Sequence, residues 1–354
     1  MARYTAGSYG NDPRRIYIYA ISAVIVFYFI LAFIFSFFPF GKSDENPAAE
    51  SVDYTEAARS VVEGNVTEPQ ETVTESSAVE QTLPAAPQFA QALIEDSADS
   101  NSQASILISQ ANEALSEVPP QIIRARNLLN DALREAMTSQ QATFVKAKLS
   151  ELADQWLFGR QVFADDHLCG FYKVKFGDML SDIGELYKVP WQILLDINHI
   201  KSERELQANQ KIKVINGPFH AKIHRSAFTL DLYLQNTFVR SFKVGLGKSG
   251  FETPTGLWFV AVGGKLVSPP WTDPDTGKRY EAEDPNYPLG QRWIGIEGIK
   301  GDCLGRTGFA IHGTKNTREI GAAVSRGCIR LANEDVVLMY NLLMPGFSQV
   351  QVVD

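Results

Sequence analysis

Ile311–Leu331 reads IHGTKNTREIGAAVSRGCIRL, and the rest of the chain takes its meaning from it. His312-Gly313 stands sixteen positions before Cys328, which closes the run Ser325-Arg326-Gly327-Cys328. Arg326 lies two positions before the cysteine and Arg330 two after. The thiolate is the nucleophilic form of cysteine, and neighbouring positive charge favours it. A glycine beside a nucleophile lets the backbone turn sharply, so that an N–H can face a developing oxyanion. A histidine able to act as base completes the minimum for acyl transfer through a thioester. A lone cysteine is otherwise commonly a small buried apolar residue. The glycine, serine and arginines around Cys328, with His-Gly upstream, favour the chemical role, whereas Cys303, in GDCLGRTG, reads as structural.

The sequence around this stretch predicts a mostly β domain. From Phe219 onward short runs alternate apolar and polar residues. Thr253-Pro254-Thr255-Gly256 punctuates the chain before a strand at Leu257–Val262. Ser268-Pro269-Pro270-Trp271 begins a loop that runs to about Leu289. Asn333–Leu343 has helical character, and Pro345-Gly346 separates it from a last strand at Ser348–Val353. Two other patterns lead nowhere. Gly245-Leu-Gly-Lys-Ser249 looks like the end of a phosphate-binding loop, but position 242, where that loop needs glycine, holds Phe242. His220 and His224 share a strand face about 13 Å apart, too far for joint ligation of a metal.

Val244-Gly245-x-Gly247, the Thr-Pro-Thr-Gly turn, the long loop and the His-Gly…Ser-x-Gly-Cys run occur in one order, and together they resemble the catalytic domain of L,D-transpeptidases of the YkuD type. The resemblance covers residues 219–354. It implies that Cys328 attacks a peptidoglycan tetrapeptide stem after its L-centred third residue and releases D-Ala. An amine of a second stem would then accept the acyl group, forming a cross-link. It further implies that His312 is general base and acid, that the Gly313 carbonyl orients the imidazole, and that the N–H groups of Gly327 and Cys328 form the oxyanion hole. Ser325, Arg326 and Arg330 fall where substrate would be contacted. Ser325 could also hold the loop, and Arg330 offers a fork for a carboxylate. Many members carry His at position 326 and Asn at position 330, so the two arginines depart from the commoner pattern. No metal, nucleotide or other cofactor is implied. Two alternatives stay open: an L,D-carboxypeptidase with water as acceptor, and a non-catalytic tether between membrane and peptidoglycan.

Residues 171–216 read as a strand (Tyr172–Lys175), a Gly177-Asp178 turn, helices at Leu180–Tyr187 and Trp191–Asn198, and a closing strand (Lys211–Ile215). Asp178 or Ser181 is positioned to cap the first helix. Tyr172-x-Val174, Gly177-Asp178-x-Leu180, Ile183, Tyr187, Asn198 and the Leu206…Gln210-Lys211-Ile212 close resemble a LysM domain, a βααβ module that binds N-acetylglucosamine-containing glycans. By that resemblance the sugar groove involves Gly177, Asp178, Asn198 and Ile200.

Residues 103–165 carry three apolar stripes at helical spacing, broken by Pro119-Pro120. They resemble a single tetratricopeptide-type hairpin with a flanking helix, which could serve as a spacer or could bind an unknown protein partner. Residues 39–102 are acidic and rich in Ser, Thr and Pro, which predicts a disordered, self-repelling tether. Ile16–Phe38 is apolar and uncharged over 23 residues, enough for a membrane-spanning helix. Arg3, Arg14 and Arg15 before it predict a cytoplasmic tail at residues 1–15 and everything after the span on the extracytoplasmic side. The fold class expected is therefore multidomain: transmembrane anchor, helical hairpin unit, βααβ LysM module and mostly-β catalytic domain. A net charge of −8 excludes non-specific nucleic-acid binding. Three cysteines do not make a disulfide scaffold, though Cys169 and Cys303 could pair.

Overall fold

The computed structural model describes residues 102–354. The cytoplasmic tail, membrane span and nearly all of the acidic tether expected from the sequence lie outside the described residues. No described helix is long and apolar enough to cross a membrane.

Three helices come first: α1 (Gln103–Ser116), α2 (Ile122–Ala132) and α3 (Ser139–Trp156). Helix α3 starts with a capping box. The Thr138 hydroxyl accepts the Gln141 N–H while the Gln141 side chain accepts the Thr138 N–H. Its face of Val145, Leu149, Leu152 and Trp156 is fully buried, with Leu129 of α2 in the same cluster. Each such leucine contributes about 2 kcal/mol by burial.

The βααβ module follows. Strand β1 (Cys169–Lys173) pairs antiparallel with β2 (Lys211–Ile215), and α4 (Leu180–Leu186) and α5 (Trp191–Asn198) lie between them in sequence. The expected first strand starts three residues too late, because Cys169 already pairs with Ile215. The expected cap is absent as well. Helix α4 has Met179 at its N-cap with no side-chain bond. The Asp178 carboxylate instead accepts the Tyr172 hydroxyl at 2.8 Å and the Lys175 N–H at 2.7 Å, which holds the turn at Gly177.

Two buried charges tie this module to the helices. Lys213, 1% exposed, donates to the carbonyls of Trp156, Gly159 and Gln161 at 2.7, 2.7 and 2.9 Å. It thus places a cation on the C-terminal end of α3, where the orphan carbonyls and the helix dipole favour one. Arg126 bonds Asp166 at 2.9 Å with both side chains buried, and its guanidinium lies 4.4 Å from the centre of the Trp156 ring.

The catalytic part contains β3 (Phe219–His224), β4 (Thr229–Leu234), β5 (Thr237–Lys243), β6 (Leu246–Gly247), β7 (Gly256–Val267), β8 (Trp271–Thr272), β9 (Arg279–Tyr280), β10 (Arg292–Lys300), β11 (Phe309–Gly313), β12 (Ala323–Ser325), β13 (Ile329–Leu331), helix α6 (Asn333–Leu342) and β14 (Gln349–Val353). Its main sheet has the order β13-β11-β10-β7-β14-β3-β4-β5. Gly245, just after edge strand β5, exchanges both backbone bonds with Arg330 of β13 at 2.9 and 2.8 Å. The two ends of the sheet therefore meet and the sheet curls around its own core. Ile223, Leu230, Trp258, Val260, Ile294, Ile311, Ile329 and Val350 fill the inside. Alternate residues along each strand emerge outside.

The helices cover edge strand β5. Asn130 accepts the Phe238 N–H at 2.7 Å, an edge donor that would otherwise lack a partner. Lys146 bonds Asp231 at 2.6 Å, and Arg240 bonds Asp154 at 2.5 Å. Burial pushes the Asp231 carboxyl up, but hydrogen bonds from His224, Lys146 and Ser241 outweigh it and hold it at about 2. The helical unit is thus packed onto the sheet as part of its edge. All three cysteines are free thiols. The possible Cys169–Cys303 pair is not formed: Cys169 lies in β1, while the Cys303 sulfur lies 3.2 Å from Leu257 O and 3.1 Å from Lys300 O, either of which can accept its one S–H.

Candidate active site

Strands β11 and β13 run parallel, with Ile311 opposite Ile329 and His312 opposite Arg330. Both isoleucines point into the core, so His312, Arg330 and Cys328 emerge together on the outer face. They open on a cavity of about 360 Å³ whose wall also includes Trp271, Asp275, Trp293 and Arg326. A neighbouring cavity of about 280 Å³ shares Trp271, Leu289 and Arg330 with it.

His312 is 2% exposed, and its ring stacks on Trp293 at 5.6 Å between centroids and 11° between planes. Nδ1 lies 2.7 Å from the Gly313 carbonyl oxygen. That oxygen can only accept, which favours the tautomer with the proton on Nδ1 and the lone pair on Nε2; the Leu289 backbone also interacts with the ring. Burial lowers the imidazole pKa to about 4, the Gly313 carbonyl opposes the shift and Arg330 adds to it. The ring is therefore neutral at pH 7. Burial pushes the half-buried Cys328 thiol up, against smaller opposing effects from the Ala310 backbone and Arg330. The arginines were expected to favour a thiolate, but desolvation wins. The site rests as a neutral thiol beside a neutral imidazole, and the proton must move as the sulfur attacks.

The loop before Cys328 is held from both sides. Ser325, 2% exposed, donates to the Cys328 carbonyl at 2.6 Å and accepts the Gly327 N–H at 3.1 Å. Thr253 donates to the Gly327 carbonyl at 2.9 Å and accepts the Gly247 N–H at 3.2 Å. Gly327 has φ +112°, and a Cβ there would lie 2.6 Å from the Phe309 ring. Only glycine fits.

Three expectations are corrected by this geometry. The Gly327 N–H is engaged by Ser325 and is not free for an oxyanion, which leaves the Cys328 N–H of the expected pair. Ser325 is buried with its hydroxyl engaged twice, so it holds the loop. Each guanidinium already holds a carboxylate through one nitrogen: Arg330 pairs with Glu319 at 2.8 Å, with its buried Nε left without a partner, and Arg326 pairs with Asp275 at 2.5 Å above the Phe251 ring. The Arg326–Asp275 pair joins the cysteine loop to the long loop that carries β8 and β9. In the βααβ module, Gly177 and Asp178 lie on the turn after β1, with one Asp178 oxygen engaged. The Asn198 amide is fully used, donating to Leu194 O and Lys213 O and accepting the Lys213 N–H. Ile200 is buried. These two support the module's core.

Trp293, Thr253, Phe309, Glu319 and Asp275 were not anticipated individually. Thr253 had a signal, since the Thr-Pro-Thr-Gly turn stood out in the sequence. The others act across long separations and had none.

A model of the L,D-transpeptidase catalytic domain, YkuD, matches residues 218–352, and a LysM domain model matches residues 172–214. YkuD of Bacillus subtilis (strain 168), named as an L,D-transpeptidase, is 30% identical over 182 residues, 49% of this chain and 94% of its own length. ErfK/SrfK of Escherichia coli (strain K12), likewise named, is 34% identical over 122 residues, 33% of this chain and 37% of its own length. A crystal structure of an L,D-transpeptidase from Mycobacterium tuberculosis H37Rv aligns at 19% identity and a TM-score of 0.31, over 42% of this chain and 63% of that one.

Proposed function

This chain belongs to the YkuD-type L,D-transpeptidase family, and from that premise we propose that Cys328 is its nucleophile, His312 its base and a peptidoglycan stem peptide its donor. His312 Nε2 takes the thiol proton as the sulfur attacks the carbonyl of the third stem residue. The C–N bond to D-Ala breaks, its nitrogen leaves with the proton from Nε2, and a thioester remains. An amine of a second stem then attacks the thioester. Its proton returns through Nε2 to the sulfur, and a peptide cross-link is released. The Cys328 N–H faces the oxyanion. A positioned base of this kind contributes roughly 10²–10⁴-fold.

The observation that carries this reading is the 2.7 Å contact of His312 Nδ1 with the Gly313 carbonyl. It favours the tautomer whose Nε2 can accept a proton, in a cavity that Cys328 also lines. The LysM match supports peptidoglycan as the polymer bound. The apolar run Ile16–Phe38 supports an enzyme anchored in the cell membrane and working on its outer side. Muropeptide analysis of wall digested after incubation with wild type or Cys328→Ser tests the reading. New cross-links after the third stem residue with wild type alone are expected; equal products from both proteins overturn it.

A further inference from the structure

A second cavity of about 620 Å³ lies on the outer face of the sheet, formed by β3, β4, β7 and β14 with Arg134, which follows α2. Lys222, His220, Tyr233, Gln349 and Gln351 line it, and none of its lining residues is a carboxylate. This is unusual in a chain of net charge −8.

Its polar groups are largely unengaged. The Lys222 ammonium has no ion-pair partner among the described residues. Asp231, opposite it on β4, is held by Lys146, His224 and Ser241. Arg134 is held only by an exposed Asp131 three residues earlier, a pairing worth little. His220 Nδ1 accepts the Gln349 N–H at 3.1 Å, which leaves Nε2–H as a donor. The side-chain amides of Gln349 and Gln351 make no hydrogen bond among the described residues. Gln235 and Asn236 line it too, with Gln235 Nε2 donating to the Asn216 carbonyl, so the cavity offers cations, neutral donors and four amides.

That set fits an acceptor-rich, anionic ligand. Primary amides match acetamido groups by donating and accepting at once. Tyrosine and histidine match sugar hydroxyls, and Lys222 and Arg134 match a carboxylate. Strand β14 lies three strands from β11 in the main sheet, and the two cavities share no lining residue. We propose that this cavity is a second glycan site, taking N-acetylated sugar strands whose lactyl carboxylates are free because their stem peptides have been removed. The choice of polymer rests on the function proposed above. The site would hold a peptide-free stretch of strand while Cys328 acts on a stem elsewhere along the polymer.

The test titrates the full-length chain with soluble glycan strands stripped by an amidase, and with chitooligosaccharides of equal length, which lack carboxylates and report on the LysM module. Wild type should bind the stripped strands about tenfold more tightly. Lys222→Ala should lose about tenfold, the loss expected for one charge-assisted hydrogen bond. Gln351→Ala should lose a smaller factor, and neither change should alter chitooligosaccharide binding or the rate of Cys328 acylation, which also shows that the variants fold. Equal wild-type affinity for the two glycans, or variants that titrate like wild type, overturns the proposal. Loss of Cys328 acylation in wild type with the Lys222 effect intact would overturn the proposed reaction and leave the cavity assignment standing.

Discussion

Replacing Ser325 by alanine separates a loop-holding role from a substrate contact. The hydroxyl makes two bonds at a site 2% exposed: it donates to the Cys328 carbonyl and accepts the Gly327 N–H. Alanine would leave that carbonyl and that N–H buried without their partner. An unsatisfied buried polar group costs about 1–3 kcal/mol, so the two together cost about 2–4 kcal/mol after local relaxation. In a folded unit of this size 1 kcal/mol moves Tm by about 2–4 °C, so Ser325→Ala should lower Tm by about 4–16 °C. The cysteine would also shift, and misplacement by about 1 Å can cost about 10²-fold in rate. The assay pairs thermal melting with stopped-flow acylation of Cys328 by a β-lactam. Expected are a lower Tm and a slower acylation step at saturating reagent. A variant that melts within about 1 °C of wild type and changes only KM refutes the loop-holding account.

Lys213→Met should destabilise the protein by about 2–4 kcal/mol in urea unfolding, because three carbonyls at the end of α3 lose a buried donor; an unchanged midpoint contradicts this. Gly327→Ala should reduce acylation at least about tenfold, because the added Cβ meets Phe309 in a left-handed backbone conformation; wild-type kinetics contradict it. His312 is neutral when folded, with its pKa lowered to about 4 from 6.5. The unfolded chain therefore binds the extra proton between those values, so stability falls as pH drops from about 6.5 to about 4, by about 3 kcal/mol in all. His312→Gln should lack that component, and identical pH profiles for the two proteins would be contrary to it.

The helices, the βααβ module and the His-Gly…Ser-x-Gly-Cys run were legible because each is written locally. Apolar residues at 3.6 spacing mark α2 and α3, and alternation marks β3 and β4. The Gly313 carbonyl was expected beside the imidazole through the family resemblance, and it lies 2.7 Å from His312 Nδ1. Other parts depend on contacts between distant residues. The Gly245–Arg330 bridge that curls the sheet joins positions 85 apart. The Lys213 ammonium reaches carbonyls more than fifty residues earlier, and nothing in Lys-Ile-Lys-Val-Ile distinguishes it from exposed Lys211. The arginines beside Cys328 suggested a stabilised thiolate, but their charge is shared with Glu319 and Asp275, and burial decides the protonation state. Asn198 and Ile200 were placed in the sugar groove by resemblance, and their part in holding the module together depends on contacts up to fifteen residues away.

The central claim is that sulfur at position 328 carries the acyl group with His312 as its base. Intact-protein and peptide-mapping mass spectrometry after rapid quenching with a tetrapeptide-stem donor tests it most directly. Wild type should gain the mass of the donor less D-Ala, mapped to Cys328. His312→Gln should gain it roughly 10²–10⁴-fold more slowly, and Cys328→Ser should gain no thioester. An adduct on another residue, or release of D-Ala at an undiminished rate by Cys328→Ser, would contradict the account.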